Sequence, residues 1–521
     1  MQGKLIDGKF YEVVSKPWFG PRKRAKEFLT DRSRLQSPEE AYQTLREILG
    51  NRTDGIQGIR FYDFVDNNDG FHYTIGLIWT FCDPVFRDKI YSIASDWVKA
   101  SGWYPLPQGE RIGSHQIIES FFNRHKWEAK LPQFSGQIES LCSTVDHRGG
   151  CSVAVKIGSE YLILDTGLSG SYIPQKLDKL CFVTHTHGDH TGNIDLVNKN
   201  KIPVIMSETT SYLLSKFKII RDSDLSQNTI PIASNEKMVL GDSLELQAFP
   251  VPHMPGALGA IIKDKIKALV FTGDICFRTA RHDYIDEFVE IVKNIDVKDK
   301  YVMIDATMAG RSFGATATET AAQICARDDV RDIVFSAPSA DHLLYAYLDI
   351  FHHVKEGATR NSVHFCLGSR LRAMFECIHE SFITRRQDVL DPFLLAQYHK
   401  TMSAWAESRW VLWLPATPQI KPDQKRYYFV SDADMKYLKL PKDAWYVRIG
   451  REGEFDSPKK LNVDANAWSL HSDEDSLVEA TRKLSSISKV ILFHNSKDKL
   501  NSFMKTHNLR ASILSQSPYS L

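Results

Sequence analysis

The sequence predicts an α/β protein with a metal centre at the ends of its strands, and three observations carry that prediction. Apolar, strand-like runs alternate with segments of helical period over most of the chain. Several of those runs end in histidine or aspartate. One of them enters "THTHGDHTGN", residues 184–193, which puts His185, His187, Asp189 and His190 within six positions. Strand ends are where α/β folds hold ligands, because the loops there are exposed yet fixed by a rigid sheet.

With 521 residues, 43% of them hydrophobic, the chain can form two or three domains, each with its own core. Lys+Arg at 65 against Asp+Glu at 64 leaves a net charge of +1, so a polyanionic partner would have to be gripped by local patches. The eight cysteines form no CxxC pair and no dense framework. That argues against disulfides and thiolate zinc sites, and for a reducing compartment: the cytoplasm, or the nucleus in a eukaryote. The first residues lack an apolar signal core, and no apolar run reaches the roughly eighteen residues of a span. A soluble, unexported protein without a membrane partner is expected.

Taken in order, residues 1–137 read as an additional N-terminal α+β domain of unassigned role. Ser37, Pro38 and Glu40 make a capping-box start for a helix running to Gly50. Strands are expected at 60–65 and 73–79, and a helix around 85–99. The stretch 16–34 is basic, with Trp18 and Phe19 beside it; it could grip a single strand, although a solvated face explains it more simply. From 138 to 309, "CSVAVKIGSEYLILDTGL" gives two strands about a Gly-Ser turn, the second ending at Asp165. "KLCFVTHTHGDH" follows, and three further strands end in "PVPH" with His253, "FTGD" with Asp274 and "MIDAT" with Asp305. Residues 310–460 alternate strand (333–337, 363–367) with helix (340–353, 369–382), the pattern of a parallel sheet. Residues 461–521 return with "WSLHSDEDSL", carrying His471, a helix, and "VILFHNS", carrying His494.

On an extended backbone His185 and His187 point to the same side, while Asp189 and His190, beyond a glycine turn, can face a second centre. Zinc takes about four ligands and, when catalytic, leaves one position for water. Two zinc ions sharing a carboxylate need roughly seven protein ligands, which His253, Asp274 and one late histidine complete.

Asp165 in "LDTG", the HxHxDH run at 185–190, His253 in "PHMPGALG" and Asp274 in "FTGD" fall in the order of the metallo-β-lactamase fold, which the chain resembles. Asp305, His471 and His494 look like motifs A, B and C of the β-CASP nucleases, the branch with ribonuclease J, the pre-mRNA 3′-end endonuclease and the Artemis-type DNA repair nucleases. The resemblance implies an αββα sandwich with an inserted α/β β-CASP cap domain at 310–460. It implies two zinc ions, with manganese as the alternative. His185, His187 and His253 would hold the first, Asp189, His190 and His494 the second, and Asp274 would bridge them. A hydroxide between the metals would attack phosphorus. His471, oriented by Asp305, would protonate the leaving oxygen, and Asp165 would steady a ligand ring.

The cap lacks the Gly-rich stretch of the RNA enzymes, so their substrate contacts do not carry over. Aspartate at motif A matches the DNA repair branch, whereas histidine at motif C matches the RNA enzymes. The latter changes a metal ligand and weighs more, which favours RNA, or single-stranded nucleic acid generally, as substrate. Arg278, Arg370 and Arg372 are candidate phosphate contacts, with structural ion pairing as the simpler account of each. His342 and seven other histidines match no motif and are expected to be structural or exposed. Two other readings stay open: a small-molecule hydrolase such as a thioesterase or lactonase, and a non-catalytic scaffold. The N-terminal segment is free to serve a partner protein.

Overall fold

A computed structural model describes residues 4–6, 9–14, 35–49, 56–65, 71–80, 90, 93–108, 131–143, 150–168, 175–216, 228–242, 244–278, 283–312, 314–356, 363–368, 370–371, 374–375, 378, 409–410, 425–435, 440–449, 459–461, 463, 465–514 and 518–521. The basic stretch 16–34, Arg372 and most of the helix expected at 369–382 lie outside these residues. Two compact units form, Met1–Ser114 with Ile383–Arg385, and His115–Phe382 with Arg386–Leu521. Among the described residues no helix is long and apolar enough to cross a membrane.

In the first unit a five-stranded sheet runs Lys4–Ile6, Lys9–Val14, Ile56–Val65, His72–Thr80 and Tyr104–Gln108 in spatial order. Helix Pro38–Leu49 starts as its capping box predicts: Glu40 N–H donates to Ser37 Oγ at 3.3 Å, and Ser37 N–H donates to Glu40 Oε2 at 2.9 Å. Its residues Ala41, Leu45 and Leu49 share a core with Trp97 of helix Ala94–Ser101 and with Ile59, Phe61 and Ile78 of the sheet.

The second unit is built on two seven-stranded sheets. One runs Thr229–Pro231, Val204–Met206, Asp178–Phe182, Glu160–Leu164, Val153–Ile157, Ile138–Ser143, Tyr519–Ser520. The other runs Lys237–Val239, Glu245–Pro250, Leu258–Lys263, Lys267–Phe271, Asp299–Asp305, Lys489–Phe493, Ser512–Ile513. They pack face to face, with Val155, Leu162, Leu164 and Phe182 of the first sharing one core with Leu246, Ile262, Leu269, Phe271 and Met303 of the second. Because side chains alternate along a strand, Ile163, Cys181 and Val183 face outward, where Ile194 and Val197 of helix Ile194–Lys199 cover them. Helices Ile285–Lys293, Glu474–Leu484 and Lys497–His507 cover the far side of the second sheet. The layers are helix, sheet, sheet, helix.

Three neighbouring strands of the second sheet, Lys267–Phe271, Asp299–Asp305 and Lys489–Phe493, run parallel. Their C-terminal ends therefore bring Asp274, Asp305 and His494 to one rim. Between the second and third of them the chain leaves to build a separate five-stranded sheet, ordered Arg409–Trp410, Val363–Leu367, Lys425–Ser431, Asp332–Ala337, Trp445–Arg448 and parallel throughout. Helix Ala340–Glu356 follows strand Asp332–Ala337, as a parallel crossover requires.

Candidate metal centre

Strand Asp178–Phe182 ends in the residues that open the site. His185 and His187 follow, the latter on extended backbone, and the expected glycine turn is the first residue of a short helix, Gly188–Thr191, which carries Asp189 and His190. The helix is anchored on His187, whose carbonyl accepts the N–H groups of His190 at 3.0 Å and Thr191 at 2.9 Å. Asp165 and His494 both sit in the left-handed region, at φ 59° and 68°. Few non-glycine residues adopt that region, and in each case the turn directs a strand-end side chain back toward the cluster.

Among the described residues several groups of ligand-type atoms gather within 4.8 Å, and two of them hold the expected ligands: His185, His187, His253 and Asp274 in one, and Asp189, His190 and His494 in the other. Asp274 lies between them. Its Oδ2 is 3.6 Å from His185 Nε2 and 3.7 Å from His253 Nε2, while its Oδ1 is 3.0 Å from His190 Nε2 and 2.9 Å from His494 Nδ1. One carboxylate thus presents one oxygen to each group.

A metal fits this donor set. His185 Nε2, His190 Nε2 and both oxygens of Asp274 are buried and make no hydrogen bond. His190 Nε2 approaches Asp274 Oδ1 without the alignment of a hydrogen bond, as expected of two donors that address a common third atom. Each buried polar atom left unpaired costs about 1–3 kcal/mol, which a bound cation would remove. Burial, then the neighbouring histidines, hold His185 well below the usual imidazole range, and burial followed by His187 pushes His253 down to about 3. Both rings are neutral and able to coordinate. Burial alone would raise Asp274, but His190, His494 and His471 outweigh it and keep the carboxylate ionised.

Each ring is steadied from behind, as metal-binding imidazoles require. Asp165 Oδ2 takes His190 Nδ1 at 2.7 Å, and its Oδ1 accepts Thr184 N–H at 2.8 Å. Thr184 Oγ1 in turn lies 2.9 Å from His185 Nδ1. The Leu470 carbonyl holds His253 Nδ1 at 2.8 Å. His187 Nε2 is held at 2.6 Å by Asp341 Oδ2, which comes from helix Ala340–Glu356.

His471 stands beside this cluster. Its Nδ1 contacts Asp305 Oδ2 at 2.8 Å, and its Nε2 faces Asp274 Oδ2 at 3.8 Å. Burial would lower its pKa, but Asp305 and Asp274 outweigh that and hold it above the usual imidazole value. The other oxygen of Asp305 accepts Thr307 N–H at 2.9 Å and Thr307 O–H at 2.6 Å. Next to His253 and Leu470 a cavity of about 370 Å³ opens, lined by Tyr345, Trp468 and Arg278.

Of the candidate phosphate contacts, Arg278 is engaged: its Nε donates to Asp283 at 2.8 Å and its Nη2 to Glu479 at 2.7 Å. A phosphate would have to compete with both carboxylates. Arg370 follows strand Val363–Leu367, its backbone N–H directed at Asp434 Oδ2, 3.4 Å away. Sequence reasoning missed Thr184, Thr307, Leu470 and Asp341. His342, expected to be structural or exposed, has its ring 6.0 Å from that of His187, centroid to centroid. Asp341 bore the signal used elsewhere, an aspartate just past a strand, but it lies 154 residues from the ring it holds.

Residues 174–336 match the family model of the beta-lactamase superfamily domain. The chain carries a metallo-β-lactamase superfamily domain. That domain and its His/Asp metal site are the equipment of a metal-dependent hydrolase. The match takes in the ligands from His185 to Asp274 and Asp305, whereas Asp165, His471 and His494 lie beyond it. Among solved structures, the chain is similar to a protein of unknown function from Enterococcus faecalis V583, with 13% identity, coverage of 74% of this chain and 100% of that one, and a TM-score of 0.48. It is also similar to the metallo-beta-lactamase fold protein YhfI from Bacillus subtilis, with 14% identity, coverage of 34% and 74%, and a TM-score of 0.27. No curated protein matches the chain.

Proposed function

We propose that the protein is a β-CASP-type nuclease, a phosphodiesterase that hydrolyses RNA or single-stranded nucleic acid, and that the unit inserted between Asp305 and His471 is its cap. The observation that carries this reading is the Asp305–His471 pair beside the metal cluster. Hydrolysis of an ordinary phosphodiester expels an alkoxide, which needs a proton as it leaves. His471, with Nδ1 tied to Asp305, is fixed in orientation with its pKa held above the usual imidazole value, and its Nε2 is directed at the cluster.

Bound by His185, His187, His253, Asp189, His190, His494 and Asp274, two zinc or manganese ions would supply Lewis acidity and an activated water. The chain's own part is orientation and proton transfer. Asp165 and Thr184 fix the rings of His190 and His185, and Asp274 stays ionised between the two ligand groups. Thr307, 3.0 Å from His494 Nδ1 and bonded to Asp305, links the proton-donating pair to the ligand set.

The test is cleavage of 5′-labelled RNA and DNA, single- and double-stranded, by wild type and by Asp189→Ala. Metal-dependent cutting of single-stranded RNA, abolished in Asp189→Ala, is expected. Preference for DNA would move the protein to the DNA-directed side of the same branch. Turnover of thioesters or lactones without any oligonucleotide cleavage would replace the nuclease reading with a small-molecule hydrolase.

A further inference from the structure

The two ligand groups are braced from different parts of the fold. Around Asp189, His190 and His494, every support described above comes from the sandwich: Asp165 behind His190, Thr307 beside His494, and the His187 carbonyl at the start of the short helix. Around His185, His187 and His253 the support is divided. His185 leans on Thr184 and His253 on the Leu470 carbonyl of the returning segment, but His187 depends on the inserted unit.

That dependence runs through one helix, Ala340–Glu356. Near its start, Asp341 is buried and places Oδ2 2.6 Å from His187 Nε2. This leaves His187 Nδ1 facing the cluster, 3.1 Å from His253 Nε2. Two turns along, Asp349 Oδ2 accepts Trp468 Nε1–H at 2.9 Å. Trp468 lies two residues before Leu470, whose carbonyl holds His253 Nδ1. The same helix therefore orients one ring directly and bears on the segment that orients another.

We propose that helix Ala340–Glu356 is a positioning element for the first metal position, with Asp341 as its positioning residue, so that the two positions load unequally and the first depends on the inserted unit. The ring of His187 has two nitrogens, and either could turn toward a cation. Only the hydrogen bond to Asp341 selects Nδ1 for that task, because a nitrogen that donates to a carboxylate cannot at the same time bind metal. The inference rests on the metal-centre reading and is independent of the substrate.

Full-length protein, stripped with a chelator, is titrated with Zn²⁺ against a chromogenic competitor and, separately, with Co²⁺ followed by its visible absorption. Wild type should take two equivalents. Asp341→Ala should keep one equivalent at wild-type affinity and bind the other about 10–100-fold more weakly, with altered Co²⁺ bands for that equivalent alone. Asp341→Asn keeps an oxygen acceptor and the shape of the side chain, so it should fall between the two, and it decides the matter if the alanine variant does not fold. Two equivalents at wild-type affinity in the variants, or equal weakening of both, overturns the proposal. Wild type that takes up no metal would overturn the metal-centre reading itself, whereas absence of nuclease activity would leave this result unaffected.

Discussion

Replacing His471 with alanine removes the one imidazole near the cluster that is assigned a proton instead of a metal. In the folded protein that ring touches Asp305 at 2.8 Å and stays 3.8 Å from Asp274. The substitution leaves Asp305 anchored, because Thr307 N–H and O–H still donate to its Oδ1 and Ile275 N–H lies 3.4 Å from its Oδ2. The vacated space is reachable by water, since the His471 side chain is 16% exposed. The fold should thus lose no more than about 1–3 kcal/mol, the cost of one hydrogen-bond partner. Both metal equivalents should remain. Catalysis should suffer far more: loss of a general acid costs about 10²–10⁴-fold, equivalent to about 3–5 kcal/mol of barrier. The loss has a chemical signature. An RNA phosphodiester expels an alkoxide and needs the proton, whereas a bis(p-nitrophenyl) phosphate expels a nitrophenolate and does not. The assay compares kcat/KM of wild type and His471→Ala on the two substrates, with metal content measured on the same samples. The expected result is a drop of at least about 10² on RNA and less than about tenfold on the nitrophenyl ester. Equal losses on both, or loss of metal, would refute the assignment of His471 as a proton donor.

Two further outcomes follow from the same geometry. Gly273 has φ +59°, and a Cβ there would lie 2.7–2.8 Å from the side chain of Thr184, the residue joining Asp165 to His185; Gly273→Ala should cost about 1–3 kcal/mol and lower metal occupancy, and wild-type melting with full occupancy would show that Thr184 is not a brace. Burial would lower His190 and His494, but Asp274 outweighs it and both are held well above the usual imidazole range, so in metal-free protein they carry protons that metal must displace. Metal uptake near pH 7 should release protons into weakly buffered solution and tighten as pH rises; a pH-independent affinity would contradict this. In the metal-free protein the sign is opposite. Groups raised above their unfolded pKa stabilise the fold when protonated, and that contribution is lost as pH rises through the folded values.

The sequence by itself determined the sandwich strands and most of the residues that gather at their ends, for a physical reason. A strand that is half-buried alternates its side chains, and a ligand placed at its end sits at a fixed offset from the last apolar residue. Asp165, His253, Asp274 and Asp305 could be read in this way one strand at a time. So could the compact 185–190 run, whose spacing on extended backbone already assigned His185 and His187 to one side. The helix at Pro38 was equally legible, because its capping box is made by residues three apart.

Only the tertiary structure decided which of these residues meet and what holds them. That Asp274 presents one oxygen to each ligand group depends on parallel neighbours in one sheet and on a second sheet packed against them. Arg278 could be read from the sequence as a phosphate contact, yet its partners Asp283 and Glu479 occupy it, and Glu479 lies 201 residues away. Thr184 and Thr307 carry no motif, since a hydroxyl gains a role only from the two groups placed on either side of it. Asp341 is the clearest case. Its place just past a strand did not say which ring it would hold, and it joins the cluster because a separate sheet sets helix Ala340–Glu356 against His187, a contact made by packing across 154 residues of chain.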